Sequence, residues 1–245
     1  LTGKYEVRKF IEKKGYKEIL VDCYGVWNNI GEINFETLPN KFVIKCTHDS
    51  GSTHIIKDKS KANIVDICKD LQAKLHPIGY TTCEPHYLSI QPRIIAEELL
   101  EERELKDLST SMIDYKVWCF NGVPNVIFLC YDRHKDTNGH SVASYDIYDV
   151  KTWEVKREYL EKDFRPNSHT KFPRPPKLED MIECATNISR GFPVVRVDFY
   201  CINNKIYFGE MTFTSAGANC YYFSNLGQRV MGQAIDLSNI KIKKI

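Results

Sequence analysis

The sequence predicts an α+β fold in which antiparallel hairpins dominate, and two lobes split near residue 97 would fit it. Three observations predict it. Strand-like runs meet at tight turns, as in DYKVWCF-NG-VPNVIFLCY and PVVRVDFYCI-NN-KIYFGEM, and short turns of this kind join antiparallel neighbours. Helical periodicity is confined to a few separate stretches. The length of 245 residues suits one large domain or two lobes around a cleft.

Taken in order, residues 4–14 (KYEVRKFIEKK) place Tyr5, Phe10 and Ile11 near helical spacing, and Gly15 supplies a stop. Residues 17–27 read as a short strand and turn. Residues 41–47 (KFVIKCT) form an apolar run with Lys45 in its interior; residues 48–53 (HDSGST) are a turn and 54–57 resume as strand, which makes a hairpin. Residues 60–75 form an amphipathic helix with Ser60 as N-cap and Ile64, Ile67, Cys68, Leu71 and Leu75 on one face, ended by Pro77 and Gly79. Residues 93–100 (RIIAEELL) read as a strand running into acidic residues. Residues 114–121 and 125–131 pair through Asn121-Gly122, and 145–160 continue with strand-like alternation. Residues 165–177, with four prolines, are a loop or crossover; 178–190 are a helix. Residues 193–201 and 205–211 form a second hairpin through Asn203-Asn204. A small, polar stretch (212–220) and a weaker helix (221–236) follow. There is no internal repeat.

Composition narrows the function. Apolar residues make up 42% and charged residues 27%, an ordinary globular balance, and a net charge of +2 gives no field that would mark a nucleic-acid or membrane binder. The basic residues at 241–244 read as a solvated terminus. Nine cysteines lie outside CxxC spacing; buried reduced thiols of a cytoplasmic protein fit better than zinc ligands or a disulfide frame. No signal peptide and no apolar run of about 18 residues is present, so no transmembrane span is expected. His134 and His140 sit in a polar stretch that reads as surface loop, and no GxSxG elbow occurs.

The chemistry concentrates in the hairpin at 193–211. Alternate strand positions share a face, so Arg196 and Asp198 point one way and Val195 and Val197 the other. The partner strand offers Glu210 and Thr212 on one face. Two carboxylates and an arginine together are costly unless a cation sits between the acids. Magnesium on phosphate oxygens is one such cation, and the arginine would then neutralise a transferring phosphoryl group. A salt-bridged surface face explains the same pattern. Lys45 either snorkels from a sheet edge or points into a site, and the loop after it can fold over phosphates or serve as a plain turn. Glu97 and Glu98 end a strand before two leucines, as an adenine hinge or as a helix cap. Lys116 shares a face with Asp114 and Trp118, which alone reads as a solvated strand face.

In this order, FVIKCTHDSGSTHIIKDKS, QPRIIAEELLEE, DYKVWCFNGVP, GFPVVRVDFY and KIYFGEMTFTSAG resemble the TupA-like ATP-grasp family, named for a teichuronopeptide-biosynthesis protein. The resemblance runs from about Lys4 to about residue 235. It implies an ATP-grasp fold in which two α+β lobes with antiparallel sheets enclose an ATP cleft: residues 1–96 as an N-terminal segment and first lobe with the phosphate loop, and residues 97–245 as a second lobe with the hinge, metal and catalytic residues. It implies ATP and Mg2+ as cofactors. Lys45 resembles the strand lysine on the α- and β-phosphates, and Lys4 a second phosphate- or adenine-side lysine. His48, Ser50, Gly51 and Ser52 look like the phosphate loop. Glu97, Glu98, Leu99 and Leu100 look like the adenine hinge, and Glu102 a ribose contact. Lys116 resembles the basic residue on the γ-phosphate or acyl phosphate, Arg196 the transition-state arginine, and Asp198 and Glu210 the metal ligands. Thr212 stands where Glu-x-Asn motifs carry a third ligand, and Asp49 departs from the loop pattern.

The resemblance further implies an ATP-dependent carboxylate–amine ligase working through an acyl phosphate. Its carboxylate would be a uronic acid of a capsular polysaccharide or sugar-nucleotide precursor. The amine would be an amino acid or an amino alcohol, free or phosphorylated. Fusion to, or association with, other polysaccharide-biosynthesis domains is the implied partnership. Two other readings are a glycosyltransferase, which would need a sugar-nucleotide site, often with a DxD motif that does not occur here, and a non-catalytic nucleotide-binding module, which would have no use for Lys45, Arg196, Asp198 and Glu210 together.

Overall fold

The computed structural model describes residues 1–78, 84–101, 105–139, 141–166 and 171–238. Gly79, Cys83, Glu102, His140 and the basic stretch 241–244 lie outside the described residues. The chain divides into two compact units, Leu1–Glu101 and Glu102–Ile245.

The first unit contains α1 (Glu6–Lys13), β1 (Cys23–Trp27), β2 (Phe42–Cys46), β3 (His54–Ile56), α2 (Ile64–Lys74) and β4 (Ile94–Glu97). Its strands pair antiparallel in the order β1-β4-β2-β3. Alternation along β2 turns Phe42, Ile44 and Cys46 into a core with Leu38, Ile56, Leu71, Ile94 and Ala96, which leaves Val43 and Lys45 on the other face. Gly15, at φ +90°, follows α1 as the expected stop. The second helix starts later than its periodicity suggests. Asp58 caps a separate 3-10 turn (Lys59–Lys61) by accepting from the Ser60 N–H, and Asn63 Oδ1, accepting from Asp66 N–H at 3.3 Å, is the N-cap of α2. Two local caps in succession break the expected single helix. Residues 17–19, expected as strand, form a 3-10 turn.

The second unit contains β5 (Asp114–Phe120), β6 (Val123–Lys135), β7 (Ser141–Asp149), α3 (Leu178–Ser189), β8 (Val194–Ile202), β9 (Lys205–Thr212) and α4 (Asn225–Gln233). The sheet is antiparallel throughout, in the order β7-β6-β5-β8-β9. Both expected hairpin turns have positive φ at their two central residues: 50° and 81° at Asn121-Gly122, and 50° and 57° at Asn203-Asn204. That conformation matches the twist of the flanking strands. One face of the sheet carries Val195, Val197, Phe199, Ile127 and Leu129, all buried, and α3 adds Met181, Ala185 and Ile188. On the other face, an aromatic cluster of Trp118, Phe128, Tyr222 and Phe223 packs with Met231 of α4.

The alternation expected over 145–160 ends at Asp149. Beyond it the chain turns back, with Arg157 donating from Nε (2.7 Å) and Nη2 (2.8 Å) to the fully buried Asp146. That bidentate pair anchors the turn segment to the sheet. Eight described cysteines are free thiols. Among the described residues no helix is long and apolar enough to cross a membrane.

Candidate active site

The second unit gathers charge on the sheet face opposite α3. Lys116 on β5 stands across from Asp198 on β8, and Arg196 across from Thr212 on β9. Arg196 grips Asp198 through Nε (2.7 Å) and Nη2 (2.8 Å). The same Nη2 donates to Glu210 (2.9 Å) and Thr212 (3.0 Å), and Nη1 donates to Ser215 Oγ (2.7 Å). Lys116 Nζ lies 2.5 Å from Asp198 Oδ2 and 3.5 Å from Asp114. Behind Arg196, Ser215 shares a 2.6 Å hydrogen bond with the Tyr222 hydroxyl. The guanidinium fork is thereby fixed from three sides.

Burial alone would raise the Asp198 carboxyl, but the Arg196 and Lys116 charges outweigh it and hold the group at about 2. Burial would lower Lys116, yet Asp198 and Asp114 raise it above its ordinary value. Both stay ionised across the neutral range. Asp198 is 3% exposed and Glu210 48%. The first is a fixed anion, and the second is open to a ligand.

A bulge makes this face possible. Val197 pairs with Met211 and Phe199 with Phe208, so Gly209 and Glu210 together oppose Asp198. Strict alternation would put Phe208 and Glu210 on one face; the extra residue lets Phe208 and Met211 both enter the core while Glu210 turns toward Arg196. Gly209 lets the strands approach closely there, because a Cβ would lie 3.2 Å from the Asp198 carbonyl oxygen and 3.4 Å from Asp198 Cβ and would have to push that backbone by a few tenths of an ångström.

In the first unit, Lys45 Nζ lies 2.6 Å from Glu97 Oε2, and Arg8 of α1 holds the other oxygen at 2.9 Å. Glu97 ends β4 in the first unit's sheet, opposite Val43, so residues 97–101 belong with the first unit. The Glu98 N–H donates to the Asp22 carbonyl (2.9 Å). Leu99 and Leu100 follow, both half-buried.

The loop after β2 differs from its expected form. His48 is fully buried, and its Nε2 meets the Lys74 (3.2 Å) and His76 (2.8 Å) carbonyls, so it ties the loop to the end of α2. Ser52 is buried too: its hydroxyl accepts from Cys46 N–H (2.8 Å) and donates to Asp49 (2.6 Å). That bond explains Asp49, which serves as an acceptor inside the loop. Lys4 reaches the Asp49 carbonyl. Only Ser50 and Gly51 of the expected phosphate-loop residues are exposed, with Gly51 at φ +122°. The His48 Nε2 and the Ser52 hydroxyl are thus bonded to protein groups and tie the loop together, while the buried His48 Nδ1 has no hydrogen-bond partner among the described residues.

The TupA-like ATPgrasp family pattern matches residues 1–236. The chain belongs to this ATP-grasp family. Its fold is similar to that of D-alanine–D-alanine ligase from Bacillus anthracis, at 12% identity and a TM-score of 0.50, over 95% of this chain and 61% of that one. D-alanine–D-alanine ligase from Helicobacter pylori (14% identity, TM-score 0.47, 95% and 60% covered) and phosphoribosylamine–glycine ligase from Thermotoga maritima (14%, 0.46, 86% and 47%) are also similar. The chain spans about three fifths of the length of the D-alanine–D-alanine ligases it matches. No curated protein matches it.

Within this ATP-grasp chain, sequence reasoning missed Arg8, Arg133, Tyr200, Ser215 and Tyr222, and read the Asp114/Lys116 face as solvated. That face is buried: Asp114 and Lys116 side chains are 5% and 12% exposed. One signal was available, since Tyr200, whose side chain hydrogen-bonds Asp114, continues the alternation of Arg196 and Asp198. The oxygens of Asp198, Glu210 and Thr212 are of the type a hard cation takes, but Arg196 and Lys116 occupy Asp198 and Arg196 also reaches Glu210 and Thr212, so a metal would have to displace those contacts. Among the described residues no group of three or more His, Cys, Asp or Glu side chains could hold a metal, so a metal here would draw further ligands from phosphate and water.

Proposed function

We propose that the chain is an ATP-dependent carboxylate–amine ligase, with a uronic acid carboxylate of a cell-surface polysaccharide or its precursor as one substrate. An amino acid or amino alcohol is the other. The observation that carries the reading is the Arg196 fork, which bridges Asp198 and Glu210 beside Lys116 on one sheet face. A buried guanidinium and ammonium held by carboxylates are already oriented for a phosphoryl group, and catalysis of its transfer is mostly positioning and charge neutralisation.

In the first step a carboxylate oxygen attacks the γ-phosphorus, the bond to the β,γ-bridging oxygen breaks, and ADP leaves with that electron pair. Arg196 and Lys116 neutralise the charge spread over the phosphoryl oxygens. In the second step the amine nitrogen attacks the acyl carbon, inorganic phosphate departs with the C–O electrons, and the nitrogen loses a proton. Asp198, Glu210 and Thr212 are the side chains that would hold magnesium, which would supply Lewis acidity to the phosphoryl transfer. In the first unit, Lys4 and Lys45 with Ser50 and Gly51 would meet the phosphates, and Glu97 through Leu100 the adenine. The first unit is thus proposed as the nucleotide lobe and the second as the metal and catalytic lobe.

ADP release from Mg-ATP, measured with glucuronate or a nucleotide-linked uronate and a panel of amines, tests this. Turnover should require both co-substrates; ATP hydrolysis indifferent to both would sink the ligase reading. Arg196→Ala should lower kcat by about a thousandfold or more. Full turnover in Glu210→Ala would remove the metal assignment.

A further inference from the structure

A second bulge on the same sheet builds a feature that the ligase chemistry does not use. In β6 the pairing slips between Tyr131 and His134, with Asp132 at φ +51°. Cys130 stands across from Asp114, so both lie on the face that carries Lys116 and Asp198. By alternation Asp132 would come next to that face; the bulge gives the place to Arg133. The segment before β5 holds this geometry. Asp132 N–H donates to Ser109 Oγ (3.0 Å), Arg133 N–H to Ser111 Oγ (2.9 Å), and Thr110 N–H to the Asp132 carboxylate (2.8 Å).

The side chain so placed is an arginine on the site face that remains half exposed. Its Nη2 contacts Asp114 and, at 3.1 Å, Cys130 Sγ. Both of its side-chain contacts among the described residues use that one nitrogen, and the side chain is 50% exposed. Arg133 also lines a hollow of about 230 Å³ with Cys130, Ser141, Val142, Ala143 and Tyr145. Ser141 accepts from Lys135 Nζ at 2.8 Å, which adds a second cation at the rim. The hollow is smaller than the ~300 Å³ at which ligand pockets usually begin, so it suits one anionic group rather than a nucleotide. Lys116 lies 3.5 Å from the Asp114 carboxylate but 2.5 Å from Asp198, so Arg133 is the nearer counter-ion of Asp114 and turns the rest of its fork to the hollow.

We propose that Arg133 is the anchor of an anion subsite, in which its fork binds a carboxylate or phosphate group on one of the two substrates. The subsite would orient that substrate on the sheet face that holds Lys116 and Arg196. As a substrate subsite the proposal rests on the ligase reading; as an anion site it stands alone. The second point allows a separate test.

Inorganic phosphate and, in a parallel arm, glucuronate are titrated calorimetrically into the intact chain with and without saturating Mg-AMP-PNP. Wild type, Arg133→Gln and Arg133→Lys are compared, with melting temperatures recorded. Binding of either anion that Arg133→Gln weakens about tenfold or more, with Arg133→Lys in between because a lysine keeps the charge but loses the fork, supports the proposal. The arm that responds names the anion. If Arg133→Gln fails to fold, the loss in Arg133→Lys decides. No binding of either anion to wild type, or equal binding in the variants, overturns it. Failure of Mg-AMP-PNP to bind counts against the ligase reading only, because the nucleotide-free arm decides the subsite.

Discussion

At the residue scale, Asp198 is the hinge of the charge arrangement. It is buried, it answers both Arg196 and Lys116, and its carboxyl is held at about 2. An unfolded aspartate titrates near 3.9. Between those values the unfolded chain binds the extra proton, so stability must fall as pH is lowered from about 4 toward about 2. Melting temperature against pH should show this loss, and Asp198→Asn should lack that part of it. At neutral pH, Asp198→Ala removes the carboxylate that two largely buried cations share and should cost about 3–5 kcal/mol, read by denaturant titration. A cost within the range of a surface substitution would mean that the pair is solvated. Ser215 and Tyr222 belong to the same arrangement, and no sequence pattern announces them: Ser215 reaches Arg196 from a turn, and Tyr222 backs Ser215 from the aromatic cluster.

At the element scale, two bulges decide which side chains meet. The β9 bulge lets Glu210 leave the phase of Phe208, and Gly209 eases the close approach of the Asp198 backbone. Gly209→Val should push that backbone away, at a cost of about 1–3 kcal/mol, and should lower ADP release by more than the lost stability explains. Unchanged turnover at reduced melting temperature would show that the approach matters for packing alone. The hairpins themselves were legible, since Asn-Gly and Asn-Asn between strand-like runs specify their turns locally. The start of α2 was not. Asp58 and Asn63 both cap, and the second cap sets the helix only because Leu71, farther along, has a core to enter.

At the scale of the whole molecule, each unit has its own sheet and its own buried cluster. If the chain binds Mg-ATP as proposed, nucleotide at about 100 times Kd should add about 2.7 kcal/mol to its stability. For a chain of this size that is a rise of about 5–10 °C in melting temperature. EDTA should cancel the rise and abolish ADP release; a rise that survives EDTA would indicate nucleotide binding without the metal end. The chain covers about three fifths of the D-alanine–D-alanine ligases it resembles, so assays that add candidate partner domains are the natural extension of the substrate panel.

The sequence by itself determined the antiparallel hairpins, the face shared by Arg196 and Asp198, and the family, because turn chemistry, strand alternation and motif order are properties of neighbours along the chain. Tertiary structure alone decided that the His48 and Ser52 side chains are buried and bonded to protein groups, that Asp114 and Lys116 lie in a buried charge cluster, and that Arg133 joins their face. Those outcomes depend on which carbonyl, carboxylate or bulge lies opposite a side chain across space. A buried polar group takes whatever partner satisfies it there, and no local pattern encodes that partner.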